Sequence, residues 1–334
     1  MSLSKKLTTH ELESLYSAAN SAIWHSHHHA GQMATGKARE EDFVATLVTN
    51  GVPLLADRWI SVLEPKGIHL KISGVFCHGH PQVAFGSPKC RVELADLLVV
   101  HQHIGKTRSS ARAILLQAKM SADATHRLPK GDPQLQLFSS WPPFEFVTGG
   151  LAPGIRNLAE TGKGSRYALV LEETSYPESI TWADQCPWGT CPATQVLSAD
   201  RSLAKVFGDM LLGKEGRSFQ LGTPRDDWSR TIQEILQTTG KRTYRRANIG
   251  RGKTPRLAEM MSPTSGTAFF CTSSPYITGS ISSSKRSVSE RFFSAELTNQ
   301  HNDDDGGDGR FGEQGDPGGM SMLIIETREG QHEG

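Results

Sequence analysis

The sequence predicts an α/β fold. Three observations carry that expectation: amphipathic helical stripes through the N-terminal part, a two-residue period that begins near Ile68, and a return to mixed helical and strand-like segments after Pro133. The first helix is written in "TTHELESLYSAANSAIWHS". Thr8 and Glu11 have capping-box spacing, and Leu12, Leu15, Tyr16, Ala19 and Ile23 form one apolar stripe. A second stripe runs from Arg39 to Leu63 through Phe43, Leu47, Leu54 and Trp59, and "GVP" at Gly51 to Pro53 should kink or divide it. "IHLKISGVF" and "PQVAF" then alternate as strands do, with "HGHP" as a turn between them. "VELADLLVV" reads as one long apolar strand, "HQHIGKTRSS" as a polar connection and "ARAILLQAK" as the returning strand of a hairpin. "PQLQLFSSW" should be helical and "RYALVLEE" a strand. "RSLAKVFGDMLLG" and "DWSRTIQEILQTTG" read as two more helices, and "MSMLIIET" as a last strand.

These elements group as an N-terminal helix in residues 1–34, a core in 35–175, and a helical and irregular extension of that core in 176–334. The extension carries two charged stretches of opposite sign. Arg225 to Arg256 holds nine Lys and Arg against three Asp and Glu, and Asp303 to Asp316 holds six acids against one Arg in a Gly-rich setting. The acidic run reads as a solvated loop. The basic one suits a phosphate backbone, with Arg242, Arg245, Arg246 and Arg251 as the candidate contacts.

Composition excludes several classes. With 37% hydrophobic and 21% charged residues the chain is ordinary for a globular protein, and no apolar run is long enough to span a bilayer. The N-terminal stretch lacks the apolar region of a signal peptide, and five scattered cysteines suit a reducing compartment, so a cytoplasmic location is expected with no membrane partner. No P-loop, dinucleotide fingerprint or nucleophile elbow is present. The tract His25, His27, His28 and His29 at the end of the first helix could bind metal, but cations are favourable at a helix C-terminus without one. Cys77, His78, His80 and Cys90, or Cys186 with Cys191, have irregular spacing for zinc and read better as ordinary thiols and imidazoles.

One constellation carries chemistry. Asp96 interrupts an apolar strand, where a carboxylate is costly unless it is paired or bound. A hairpin brings it near the end of the strand that carries Gln117 and Lys119 on one face. A carboxylate, an amide oxygen and the Ala118 carbonyl suit Mg²⁺ or Mn²⁺, and the lysine can position an attacking water and offset charge on a phosphate. "REEDFVATLV", "ELADLLVV" and "LLQAKM" together resemble the PD-(D/E)xK nuclease superfamily, with Gln-x-Lys in place of the commoner acidic form, as in Mrr-like restriction endonucleases.

The resemblance implies a restriction-endonuclease-like αβββαβ core over about residues 35 to 175, with a mixed central sheet flanked by helices. It also implies a Mg²⁺-dependent DNA phosphodiesterase in which Asp96, Gln117 and an acid of the preceding helix hold the metal and Lys119 assists. Among Glu40, Glu41 and Asp42 the pattern selects Glu41 narrowly over Glu40, although all three also suit a helix N-terminus. Gln134 in "QLQLF" resembles the glutamine of the Gln-x-x-x-Tyr helix in RecB-like nucleases, with Phe138 replacing the tyrosine. The family context implies the effector of a restriction or anti-phage defence system, working with other subunits or as a homo-oligomer. Two other readings stand beside it: a non-catalytic nucleic-acid-binding or assembly subunit, and a metal-binding interaction protein built on the histidine tract.

Overall fold

The computed structural model describes residues 3–34, 36–77, 81–158, 162–172, 183–241, 244–246, 266–272, 286–293 and 319–330. Helix α1 spans Thr9–Met33, opened by the capping box of Thr8 and Glu11. It runs on through the histidine tract, so those imidazoles line its last turns rather than follow them. The second stripe folds as α2 (Glu40–Thr46), a π-helical turn (Leu47–Gly51) and α3 (Val52–Leu63). Pro53 has no N–H to give to the carbonyl four residues back, and Val52 N–H bonds instead to Leu47 O, five residues back. The chain widens there without breaking.

Strand β1 (Ile68–Phe76) follows, then β2 (Gln82–Phe85), β3 (Cys90–Glu93), β4 (Leu97–Ile104), β5 (Ser109–Ser121) and β6 (Thr125–Arg127). After α4 (Pro133–Ser140) come β7 (Phe144–Phe146), β8 (Ile155–Arg156), β9 (Ser165–Leu171), β10 (Trp188–Cys191), β11 (Val196–Ser198) and β12 (Arg201–Ser202). Then α5 (Leu203–Leu211), β13 (Arg217–Ser218), α6 (Asp227–Gly240), β14 (Tyr244–Arg246), β15 (Gly266–Thr272), α7 (Val288–Phe292) and β16 (Met322–Glu329) complete the described chain.

The central sheet is mixed and has the order β12-β10-β9-β5-β4-β16-β1-β15-β14, with β13 paired to β5. Strands β4 and β5 form the expected hairpin, from Leu97 opposite Leu116 to Ile104 opposite Ser109, and β9 joins β5 in parallel through α4. Two differences from the sequence reading matter. The stretch "VELADLLVV" is two strands: β3 belongs to a separate four-stranded sheet, β3-β2-β7-β8, and the chain changes sheets at Leu94 to Asp96. The last strand, β16, is inserted between β1 and β4, antiparallel to the first and parallel to the second. The boundary drawn at residue 175 is therefore crossed by the sheet itself.

Each face of the sheet carries its own core. On one face α1, the α2–α3 segment and α5 bury Leu15, Ile23, Phe43, Trp59 and Phe207 against Ile72, Val99, Leu116 and Leu323. On the other, α4, α6 and the small sheet bury Phe138, Phe144, Trp228 and Ile232 against Leu98, Val100, Leu115 and Ile324. Gly74 in β1 lies under the π-helical turn, where a Cβ would come within 2.8 Å of the Val48 carbonyl oxygen. Only glycine lets that turn sit so close to the sheet. Arg242, Arg251 and the acidic run fall outside the described residues.

Candidate active site

The site forms where β5 outruns β4. Pairing between them ends at Leu97 and Leu116, so the last residues of β5 have an open edge on that side. Odd-numbered residues of β5 bond toward β9, as Leu115 N–H to Gly164 O and Glu172 N–H to Ser121 O show. Even-numbered residues bond toward the open edge: Leu116 O accepts from Asp96 N–H at 3.0 Å, Ala118 N–H donates to Asp96 Oδ2 at 2.6 Å, and Met120 N–H donates to Glu40 Oε1 at 3.1 Å. The Ala118 carbonyl therefore lies on the edge that carries the Asp96 carboxylate.

Asp96 and Gln117 meet directly. Gln117 Nε2 donates to Asp96 Oδ2 at 2.5 Å, and both residues are buried. Two N–H groups on one carboxylate oxygen make charge-assisted bonds that offset the cost of burying it. The amide's other end is different. Gln117 Oε1 is buried and has no hydrogen-bond partner among the described residues. A buried orphan acceptor of this kind costs about 1–3 kcal/mol unless something binds it.

The turn that carries Asp96 is braced from behind. Gln134, buried at the start of α4, donates from Nε2 to Leu94 O at 3.3 Å, and α4 is itself capped by Asp132 through Leu135 N–H at 2.7 Å. Gln134 thus supports the sheet change that presents Asp96.

The helix acid at this site is Glu40, not Glu41. Lys119 Nζ lies 3.8 Å from Glu40 Oε1, and both side chains are partly exposed. Glu41 points to Arg39 at 3.3 Å, and Asp42 turns back to cap the helix through Arg39 N–H at 2.8 Å. The three consecutive acids thus have three separate tasks. A capping pattern with Asp42 at the third helical position makes Glu40 the first, projecting past the helix start toward β5. That was the readable signal.

Asp96 and Glu40 carboxylates, the orphan Gln117 oxygen and the Ala118 carbonyl are all hard oxygen donors, which fit Mg²⁺ or Mn²⁺ rather than a soft metal. Among the described residues no group of three or more His, Cys, Asp or Glu is placed to hold an ion. An ion at β5 would therefore rest on amide, backbone and water oxygens as well as on carboxylate, which is usual for Mg²⁺. The histidine tract does not converge. His27 is buried and stacked on Phe43, His28 bonds Gln32, and His25 stacks with His29. Among the described residues Cys77, Cys90, Cys186 and Cys191 form no disulfide, and burial pushes Cys186 and Cys191 up to about 12. His78 and His80 lie outside the described residues.

Arg245 and Arg246 fall on β14, five strands from β5 across the sheet, or roughly 24 Å at ordinary strand spacing. No helix among the described residues is long and apolar enough to cross a membrane. Comparison with protein-family models, curated proteins and solved structures found no match.

Proposed function

We propose that the chain is a Mg²⁺-dependent nuclease acting on DNA phosphodiesters, with Asp96, Gln117, Lys119 and Glu40 as its working residues and a restriction-endonuclease-like core as its frame. The observation that carries the reading is the buried, unpartnered Gln117 Oε1 beside the Asp96 carboxylate at the open end of β5. Asp96, Gln117 Oε1 and the Ala118 carbonyl would hold the ion. Bound there, Mg²⁺ would polarise the phosphoryl group and increase the acidity of the attacking water. Lys119 offers N–H donors to that water and to the phosphate oxygens, and its ammonium offsets developing charge. Glu40 holds Met120 N–H and faces Lys119, which fixes the end of β5 and aims the lysine. In a restriction or anti-phage context the chain would work with other subunits or as an oligomer, and Arg245 and Arg246 on the distant edge strand would touch the duplex well away from the cut.

A second reading, a non-catalytic nucleic-acid-binding or assembly subunit, is favoured by one feature: Asp96 and Gln117 already satisfy each other in part without an ion. Plasmid cleavage with Mg²⁺, alongside thermal melts, separates the two. Asp96→Ala and Lys119→Ala should each abolish cutting while melting as folded proteins. Cutting at the wild-type rate by either variant removes that residue from the mechanism, and an inactive wild type favours the second reading.

A further inference from the structure

Beyond Asp96, Gln117, Lys119 and Glu40, a further polar side chain stands at the open edge of β5. After β5 the chain turns through Asp123, whose carboxylate accepts from Thr125 N–H at 3.0 Å and Thr125 Oγ1 at 2.8 Å, while Ser121 Oγ donates to Thr125 O at 2.6 Å. This compact turn sends β6 back past the end of β5, where β11 pairs with it, Leu197 opposite His126. His126 Nδ1 lies 3.2 Å from Met120 O. A carbonyl can only accept, so Nδ1 carries a proton, and in the neutral tautomer with that proton Nε2 is the lone pair. No hydrogen bond from the described residues reaches Nε2, and the side chain is half-buried.

Met120 also donates its N–H to Glu40, so one peptide residue joins Glu40 and His126. Its carbonyl lies about 6.8 Å along the strand from that of Ala118, on the same edge. An imidazole hung from Met120 O therefore stands at the same open strand edge as the Asp96 carboxylate. Its Nε2 adds a nitrogen acceptor to the groups already at the site. Lys119 as an ammonium has donors and no acceptor. Asp96 Oδ2 accepts from two N–H groups, and Glu40 Oε1 accepts from Met120. The geometry points to His126 as a further catalytic residue of the nuclease proposed above, its Nε2 the base that accepts a proton from the attacking water.

The step balances simply. Water gives one proton to Nε2 as its oxygen bonds to phosphorus. The bond from phosphorus to the leaving oxygen breaks with its electron pair on that oxygen, which takes a proton from solvent. The imidazolium then returns its proton to solvent. This inference rests on the nuclease reading of the Asp96 site, and the test distinguishes the two.

His126→Asn keeps an N–H donor for Met120 O but has no basic nitrogen, and His126→Ala leaves room for free imidazole. Both full-length variants, with Asp96→Ala beside them, should be compared in thermal melts, Mn²⁺ binding by electron paramagnetic resonance, and single-turnover DNA cleavage. We expect His126→Asn to melt and bind Mn²⁺ like wild type while cutting at least about 100-fold more slowly, the usual scale for a lost general base. Cleavage by His126→Ala should recover with added imidazole. Wild-type cutting by His126→Asn, while Asp96→Ala is dead, overturns the role of His126 and leaves the site reading intact. A rate loss matched by an equal loss of Mn²⁺ affinity, without imidazole rescue, also overturns it, because His126 would then support the ion and not the proton. Cutting by Asp96→Ala at the wild-type rate removes the site reading, and the role of His126 with it.

Discussion

Glu40 and Glu41 differ by one position, and their partners separate them. Glu40 reaches Met120 N–H and Lys119, whereas Glu41 pairs with Arg39 at the surface. Glu40→Gln should therefore lower cleavage by about 10- to 100-fold, the range for residues that orient a metal site, while Glu41→Gln stays near wild type. Steady-state cleavage of both variants checks this, and the reverse ranking would return the role to Glu41. A second residue-scale effect concerns pH. His101 is buried on β4, its Nε2 3.1 Å from Thr327 Oγ1; burial first, then the nearby His103, holds the imidazole down at about 3. The folded protein thus keeps His101 neutral over a range in which the unfolded chain protonates it near 6.5. Its contribution is complete above pH 6.5 and is lost as pH falls toward 3, at about 1.4 kcal/mol per pH unit. His103, also held low by burial, acts in the same direction. Urea unfolding of wild type and His101→Asn across that window should show a shallower acid limb in the variant; parallel limbs would mean that His101 is not the sensor.

At the scale of elements, α7 and β16 are joined by a row of buried polar side chains. Gln102, Glu326 and Lys71 stand at facing positions on β4, β16 and β1. Val288 N–H donates to Gln102 Oε1 at 2.6 Å, Ser289 N–H to Glu326 Oε1 at 2.9 Å, Ser289 Oγ to Glu326 Oε2 at 2.7 Å, and Lys71 Nζ to Ser289 Oγ at 2.7 Å. Removing the carboxylate takes the acceptors from the buried Ser289 N–H and Oγ, so Glu326→Ala should cost about 1–3 kcal/mol in urea unfolding. A loss below about 1 kcal/mol would show that solvent reaches the row. These contacts also mark what the sequence could not reveal. The strand character of "MSMLIIET" was plain from its apolar run, but its place between β1 and β4 depends on pairing with residues more than two hundred positions away. The break in "VELADLLVV" was hidden for a similar reason: Asp96 was legible as a misfit, yet the sheet change that accommodates it needs the second sheet to be known. Local signals did better, as the Thr8 capping box and the π-helical turn that divides the helix before Pro53 show.

For the molecule as a whole, the sheet sets the site by ending one strand early. Helices cover both faces of β5, so its chemistry is confined to the edge where β4 stops and where Asp96, Gln117, Lys119 and Glu40 gather. Gln117 and Lys119 were readable there because a strand places alternate residues on one face. Glu40 was separable from its neighbours only through the capping position of Asp42, and His126 gave no sign because its role depends on the turn at Asp123. The arrangement stands or falls on whether the open edge of β5 takes a divalent cation. The most direct measurement is the anomalous difference density of a Mn²⁺-soaked crystal. A peak within bonding distance of Asp96, Gln117 Oε1 and the Ala118 carbonyl is the predicted result. A well-soaked crystal with manganese only at the histidines of α1, and none at β5, would contradict it.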